Sequence, residues 1–246
     1  MNYVAHRGYS RRFAENTLPA FQAVIDHPSN GHSLIGIELD IHLTSDGHIP
    51  VMHETSIPDD NGVPIPVAQM SLAELRLRHK QHHKGTTPPI PSIEQVFELV
   101  NHRTELCFEI KIGSYDLERF TRLFIEALEK YSPRDDVIVS SFSYDILEFV
   151  RPLCKPFNLR YGFIFNSPEA LNAVPHDIRK RFDLLHPWYR LLYSAPELFR
   201  SDSCPVRCWT VNDPAVVAAI AGMKLPVEAV MTDDISLTET PADTGA

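Results

Sequence analysis

Short runs of β-branched and aromatic residues alternate with amphipathic stretches along nearly the whole chain. "YVAH" (3–6) has the pattern of a buried strand. "TLPAFQAVIDH" (17–27) predicts a helix, with Thr17 as N-cap and Pro19 in the first turn. "LIGIELDIHL" (34–43), the turn "SDGH" and "IPVMH" (49–53) together predict a hairpin. Residues 54–90 are polar and rich in Pro and His, and read as a long loop with one helix, "SLAELRLRHK".

From there the alternation is regular. The helical pattern "SIEQVFELVNH" precedes the strand pattern "LCFEIK", and "DLERFTRLFIEALEKY" precedes "DVIVSSF". "SYDILEFVRPL" leads to "LRYGFIF", a helix near 168–180 to "FDLLHP", a helix near 190–200 to "VRCWTV", and "PAVVAAIAGM" to "AVMTD". Strands beginning near 3, 35, 106, 137, 160, 182, 206 and 229 make eight, each followed by a helix or a long loop. Parallel strands joined by right-handed crossovers give this order, and eight such units close into a (β/α)8 TIM barrel. A doubly wound open sheet is the rival, but "HRGYSR" after the first strand has one glycine rather than a Gly-rich phosphate turn. The expectation is an α/β fold with one barrel domain over residues 1–240. It carries an excursion after the second strand at 54–90, and a polar tail that frays after about residue 235, with 241–246 outside the domain.

At 246 residues, with 43% hydrophobic residues, the chain can bury one large core. Asp and Glu outnumber Lys and Arg by 32 to 23, a formal charge of −9, which argues against nucleic-acid and anionic-membrane partners. No apolar run is long enough to span a bilayer, and "MNYVAHRG" lacks the plan of a signal peptide. Cys107, Cys154, Cys204 and Cys208 form neither a disulfide framework nor a zinc pattern, so they read as reduced thiols of a cytoplasmic protein.

In a barrel the reactive groups gather at the C-terminal ends of the strands. His6 closes the first strand, Glu38 and Asp40 lie near the end of the second, and His53 ends the segment behind it. Glu109 and Lys111 close the third, and Trp209 lies late in the seventh. Residues two apart on a strand share a face, so Glu38 projects with Asp40, and Glu109 with Lys111. Carboxylates converging on one mouth repel unless a cation joins them, which implies one divalent ion bound by oxygen: Mg²⁺, Ca²⁺ or Mn²⁺. Arg7 and Lys111 on the same rim suit an anionic substrate. Taken singly, each of these residues fits an exposed edge or a salt bridge; their concurrence at four strand ends favours a site. "HKQHHK" (79–84), with no acidic partner at ligand spacing, reads as a solvated face.

At these residues the sequence resembles the glycerophosphodiester phosphodiesterase family. The resemblance lies in "AHRG", "ENTLPAF", "IELDIHLTSDGHIPVMHE", "PSIEQVFELV", "FEIK", "VIVSSF", "CWTVND" and "AVMTDD", in family order over nearly the whole chain. It implies a divalent cation on Glu38, Asp40 and Glu109. It also implies an acid–base pair of His6 and His53, phosphate contacts from Arg7 and Lys111, bracing by Glu15 and Asn16, and Trp209 beside the substrate. The implied reaction releases glycerol 3-phosphate and an alcohol from a small glycerophosphodiester, through attack by a hydroxyl or a water. A phosphodiester-binding protein without turnover and a lysophospholipase-D-like enzyme are the alternatives. The chain departs from the family at Ala14, where Pro is usual, at Glu54, where Asp is usual, and in "TSIPDDNG" (55–62), which is more acidic than the family's run. The last departure bears on substrate preference. The oligomeric state is not legible.

Overall fold

A computed structural model describes residues 1–131, 137–200 and 204–239. The barrel strands are β1 (Asn2–His6), β2 (Leu34–Ile41), β5 (Glu105–Ile110), β6 (Val137–Ser141), β7 (Arg160–Phe165), β8 (Leu184–Pro187), β9 (Val206–Cys208) and β10 (Val227–Thr232). All eight run parallel in the closed order β1-β10-β9-β8-β7-β6-β5-β2. This is the (β/α)8 barrel, and the open sheet is excluded. Between β2 and β5, β3 (Ser56–Pro58) and β4 (Pro64–Pro66) form a small antiparallel ribbon, followed by α2 (Leu72–His82) and α3 (Ile93–Val100).

Around the barrel lie α1 (Leu18–Ile25), α4 (Leu117–Tyr131), α5 (Tyr144–Leu153), α6 (Pro168–Ala173), α7 (His176–Arg179), α8 (Leu191–Ser194) and α9 (Pro214–Ala221). Their starts follow from local chemistry. Thr17 caps α1 by accepting from the Ala20 amide, Ser92 and Gln95 form a capping box on α3, and Asp213 caps α9 ahead of Pro214. Phe108, Phe120 and Phe124 are fully buried where α4 packs on the sheet, with Phe108 edge-on to Phe124. At the opposite end from the strand C-termini, the buried guanidinium of Arg207 pairs with Glu105 and Glu228, and Arg160 joins the same acids.

Several elements differ from the sequence reading. Residues 49–53 do not form a strand: Ile41 and Val51 make one antiparallel bridge, and Val51 donates to the Pro91 carbonyl instead. Pro50 has no N–H to extend a ladder. The helix expected near 168–180 is two short ones, because Pro175 disfavours helical geometry at Val174. Pro196 divides the segment near 190–200 in the same way, leaving α8 and a 3₁₀ turn. "HKQHHK" is no loop; it spans the last turn of α2 and its cap. Ile235, in the stretch expected to fray, is fully buried in a 3₁₀ turn over 235–239, whereas 241–246 lie outside the described residues.

Just past β2, His42 is buried, and burial, reinforced by Lys111, pushes its imidazole down to about 4. The folded protein keeps this ring neutral, while the unfolded chain takes up a proton below about pH 6.5. The resulting loss of stability is absent above that pH and grows as pH falls towards 4. His42→Leu is expected to remove about 2 kcal/mol of the stability difference between pH 7 and pH 5, measured by denaturant unfolding. An unchanged difference would contradict a neutral buried His42.

Candidate active site

Strand register assembles the site. His6 sits opposite Glu38 across β1 and β2, and Asp40 sits opposite Glu109 across β2 and β5. Period-two alternation then directs Glu38, Asp40 and Glu109 inward, where an oxygen of each lies within 4.8 Å of the others. All three are buried. Glu38 and Glu109 border a cavity of about 230 Å³ at the C-terminal mouth, whose charged half is formed by His6, Arg7, Glu38, His53, Glu109 and Lys111. Asp40 lies behind that wall, fully buried.

The chain leaves β1 through two residues of positive φ, Arg7 (60°) and Gly8 (80°). A Cβ on Gly8 would meet the backbone and Cβ of Ala20 and the ring of Phe21 at 2.9 Å, so only glycine lets the turn pack on α1. The turn brings the Arg7 amide to the Glu38 carbonyl (2.9 Å) and carboxylate (3.2 Å). The Arg7 side chain reaches Glu15 (2.9 Å), with its Nε 3.3 Å from Asp40. Asn16, also at positive φ (56°), donates from Nδ2 to Asp40 Oδ2 at 2.7 Å and accepts the Asp40 amide at 3.3 Å. The Lys111 ammonium lies between Glu109 (2.8 Å) and Asp40 (3.2 Å). The Arg7 and Lys111 cations are thus held among the acids they neutralise.

Electrostatics separates the three carboxylates. Burial and the charges of Asp40 and Glu109 push the Glu38 carboxyl well above its ordinary range, and burial with Asp40 raises Glu109. Burial also opposes the charge on Asp40, but Lys111, Arg7 and the Asn16 hydrogen bond outweigh it and hold its pKa low. With all groups ionised, three carboxylates against one guanidinium and one ammonium leave one net negative charge. A divalent cation would turn this into one net positive charge, matched to a phosphodiester. Three converging carboxylates, without thiolate or imidazole, are a donor set for a hard ion such as Mg²⁺, Ca²⁺ or Mn²⁺.

The two site histidines differ in setting. His6 Nδ1 is hydrogen-bonded to Asp233 at 2.6 Å, which leaves Nε2 on the Glu38 side, 4.0 Å from its carboxylate. Asp233 is itself held by Asn212 (2.6 Å) and Ser10 (3.2 Å). His53 is half-buried; burial, then Arg7 and Lys111, lowers its pKa and keeps the ring neutral at neutral pH. It also lies within 4.8 Å of Glu15 and Glu54. That trio adjoins a second cavity of about 340 Å³, faced by His79 and His83 of the "HKQHHK" run.

Across the main cavity the wall is largely apolar, formed by Phe142, Ile164, Trp209 and Met231, with Ser140, His186 and Thr210 among them. Trp209 packs edge-on against Phe142 and donates from Nε1 to the His186 carbonyl at 2.8 Å. Residues 55–62 contribute nothing to this lining; Asp59 instead caps the β3–β4 turn by accepting the amides of Asn61 and Val63 at 2.8 Å each. Sequence reading missed Asp233 and His186. The first stands in the quoted "AVMTDD", but only barrel closure brings it to His6. The second is a lone polar residue in an apolar strand and carries no spacing signal.

Residues 6–237 match the glycerophosphoryl diester phosphodiesterase family. The chain belongs to this family. A glycerophosphodiester phosphodiesterase of Caldanaerobacter subterraneus subsp. tengcongensis is 27% identical over 236 residues, covering 94% of this chain and 93% of its own. A human lysophospholipase D (GDPD1) is 23% identical over 155 residues, 59% of this chain and 46% of its own. The crystal structure of a glycerophosphodiester phosphodiesterase from Thermotoga maritima superposes with a TM-score of 0.72 at 27% identity over 96% of each chain. An Oleispira antarctica phosphodiesterase in complex with sn-glycerol 3-phosphate has the same fold, with a TM-score of 0.73 at 19% identity, covering 98% of this chain and 97% of its own.

Asn16 joins backbone strain to site architecture, and two substitutions separate them. Asn16→Gly removes the hydrogen bonds to Asp40 and relieves the positive φ, whereas Asn16→Ala removes the bonds and keeps the strain. Ala is expected to be about 1–2 kcal/mol less stable than Gly in denaturant unfolding. Equal stabilities would mean that the left-handed conformation imposes nothing at this position.

Proposed function

We propose that this phosphodiesterase hydrolyses glycerophosphodiesters to glycerol 3-phosphate and an alcohol, with one divalent cation held by Glu38, Asp40 and Glu109. The observation that carries the reading is the gathering of three buried acids, Arg7, Lys111 and two histidines around one cavity. When bound, the ion supplies Lewis-acid polarisation of the phosphoryl oxygens and charge neutralisation.

The remaining steps belong to the chain. Arg7 and Lys111 orient the phosphate from the charged half of the cavity. His53, kept neutral, accepts the proton of the attacking hydroxyl or water. His6, its ring fixed through Nδ1 by Asp233, delivers a proton from Nε2 to the departing alcohol. Trp209 and Phe142 exclude water from the opposite side. Each positioned acid or base is worth roughly 10²–10⁴ in rate, whereas phosphate-ester cleavage demands about 10¹⁷ or more. Charge stabilisation at the acidic cluster has to supply much of the rest.

A lysophosphodiester with an acyl chain is a second substrate class, favoured by the apolar wall and by Phe142, which is 37% exposed at the cavity. Buried Cys107, Cys154 and Cys208 are free thiols, which favours a reducing compartment, the cytoplasm.

Glu38→Gln, Asp40→Asn and Glu109→Gln are each expected to lower kcat at least about a thousandfold and to weaken Mg²⁺, Ca²⁺ or Mn²⁺ binding by calorimetry. Full activity in EDTA, assayed as glycerol 3-phosphate released from a panel of glycerophosphodiesters and lysophosphodiesters, would overturn the metal assignment. Because Glu38 and Glu109 are raised, cation binding should displace protons from them. Affinity should therefore rise with pH, and the calorimetric enthalpy should depend on the buffer. His6→Ala and His53→Ala should each cost roughly 10²–10⁴ in kcat while leaving cation affinity within about threefold.

A further inference from the structure

The wall facing the carboxylates carries an imidazole that the hydrolysis set out above leaves unused. His186, in β8, pairs in register with Ile164 and borders the main cavity with Ile164 of β7 and Trp209, just past β9. It is 1% exposed, and among the described residues neither Nδ1 nor Nε2 has a hydrogen-bond partner. A neutral imidazole carries one donor and one acceptor, and leaving both unpaired in a dry site is costly.

The ring's seat is specific. A Cβ at Gly162, on the neighbouring strand, would stand 2.7 Å from Cε1 and 2.8 Å from Nε2 of His186, so only glycine leaves room for the imidazole there. Both nitrogens are buried as the ring stands, but the imidazole torsion is broad and the residue borders the cavity, so a turn of the ring about its last bond would present a nitrogen there. Burial, reinforced by Arg207 and Arg160 beneath, pushes this histidine down to about 3, so it meets a ligand uncharged. A neutral ring that can both donate and accept complements a hydroxyl. Phosphate and ammonium groups call for an opposite charge, which this wall lacks.

We propose that His186 is a specificity-determining residue that hydrogen-bonds the terminal hydroxyl of the substrate's glycerol end. The proposal rests on the glycerophosphodiester reading given above. The phosphate lies on the side of Arg7 and Lys111, and the hydroxyl next to it stays near the two catalytic imidazoles. The hydroxyl at the far carbon is the one placed to cross to the apolar wall, where His186 supplies a polar contact.

The test compares glycerophosphoethanolamine with its propane-1,2-diol counterpart, which lacks only that hydroxyl, in the wild type, His186→Leu and His186→Gln. The ratio of the two kcat/KM values is expected to be about tenfold in the wild type, carried mainly by KM, and near one in His186→Leu. His186→Gln, which keeps a donor and an acceptor, should recover part of the preference. Removing the unpaired polar atoms should leave the thermal midpoint of His186→Leu no lower than that of the wild type. A preference unchanged in His186→Leu, or absent from the wild type, would overturn the assignment. A lowered midpoint with the preference retained would make His186 a packing residue and overturn it equally. Failure of the wild type to cleave either compound would overturn the hydrolytic reading itself, and His186 would then have no glycerol end to select.

Discussion

Mutual repulsion among three buried carboxylates is the constraint around which this end of the barrel is organised. Glu38, Asp40 and Glu109 converge because parallel strands in fixed register leave them no other direction. The surrounding groups moderate the repulsion without abolishing it. Lys111 spans two of the acids, Arg7 flanks a third face, and Asn16 binds the most deeply buried one. With all groups ionised the charge left over is small and negative, a setting suited to a divalent cation. Asymmetry within the trio follows from the same arrangement, since Asp40 receives the cations and the amide while Glu38 bears the repulsion of its neighbours.

The rest of the barrel holds that cluster in place. Positive-φ residues at Arg7, Gly8 and Asn16 fold the segment after β1 back over β2, so one turn supplies a guanidinium, an amide donor and the brace on Asp40. Barrel closure between β1 and β10 carries Asp233 to His6, joining residues 227 positions apart in sequence. The two halves of the cavity consequently differ in kind. One is charged and built by β1, β2, β5 and the loop at His53; the other is apolar and built by β7 to β10 with Phe142.

Much of this was legible from the chain because its determinants are local. Alternating β-rich and amphipathic runs reveal eight strands, and a two-residue spacing places Glu38 with Asp40 on one face without any knowledge of tertiary structure. Errors arose where the deciding interaction is remote or where proline intervenes. "IPVMH" has the composition of a strand, but its backbone pairs partly with β2 and partly with Pro91, so it forms isolated bridges. Pro175 and Pro196 divide segments whose hydrophobic patterns suggest one helix each. Asp233 and His186 lacked any companion at a telling distance in sequence; the first depends on closure and the second on the gap left by Gly162. The acid-rich run after His53 looked relevant to substrate choice, yet Asp59 spends its carboxylate on a turn away from the cavity lining.

The ionic plug of Glu105, Arg160, Arg207 and Glu228 closes the far end of the barrel. Above it the interior is filled by Cys107, Ile138 and Leu184, all buried. Among the described residues the candidate chamber is therefore closed at that end and opens at the C-terminal mouth of the strands. A closed floor of this kind makes the mouth the route shared by whatever enters and whatever leaves.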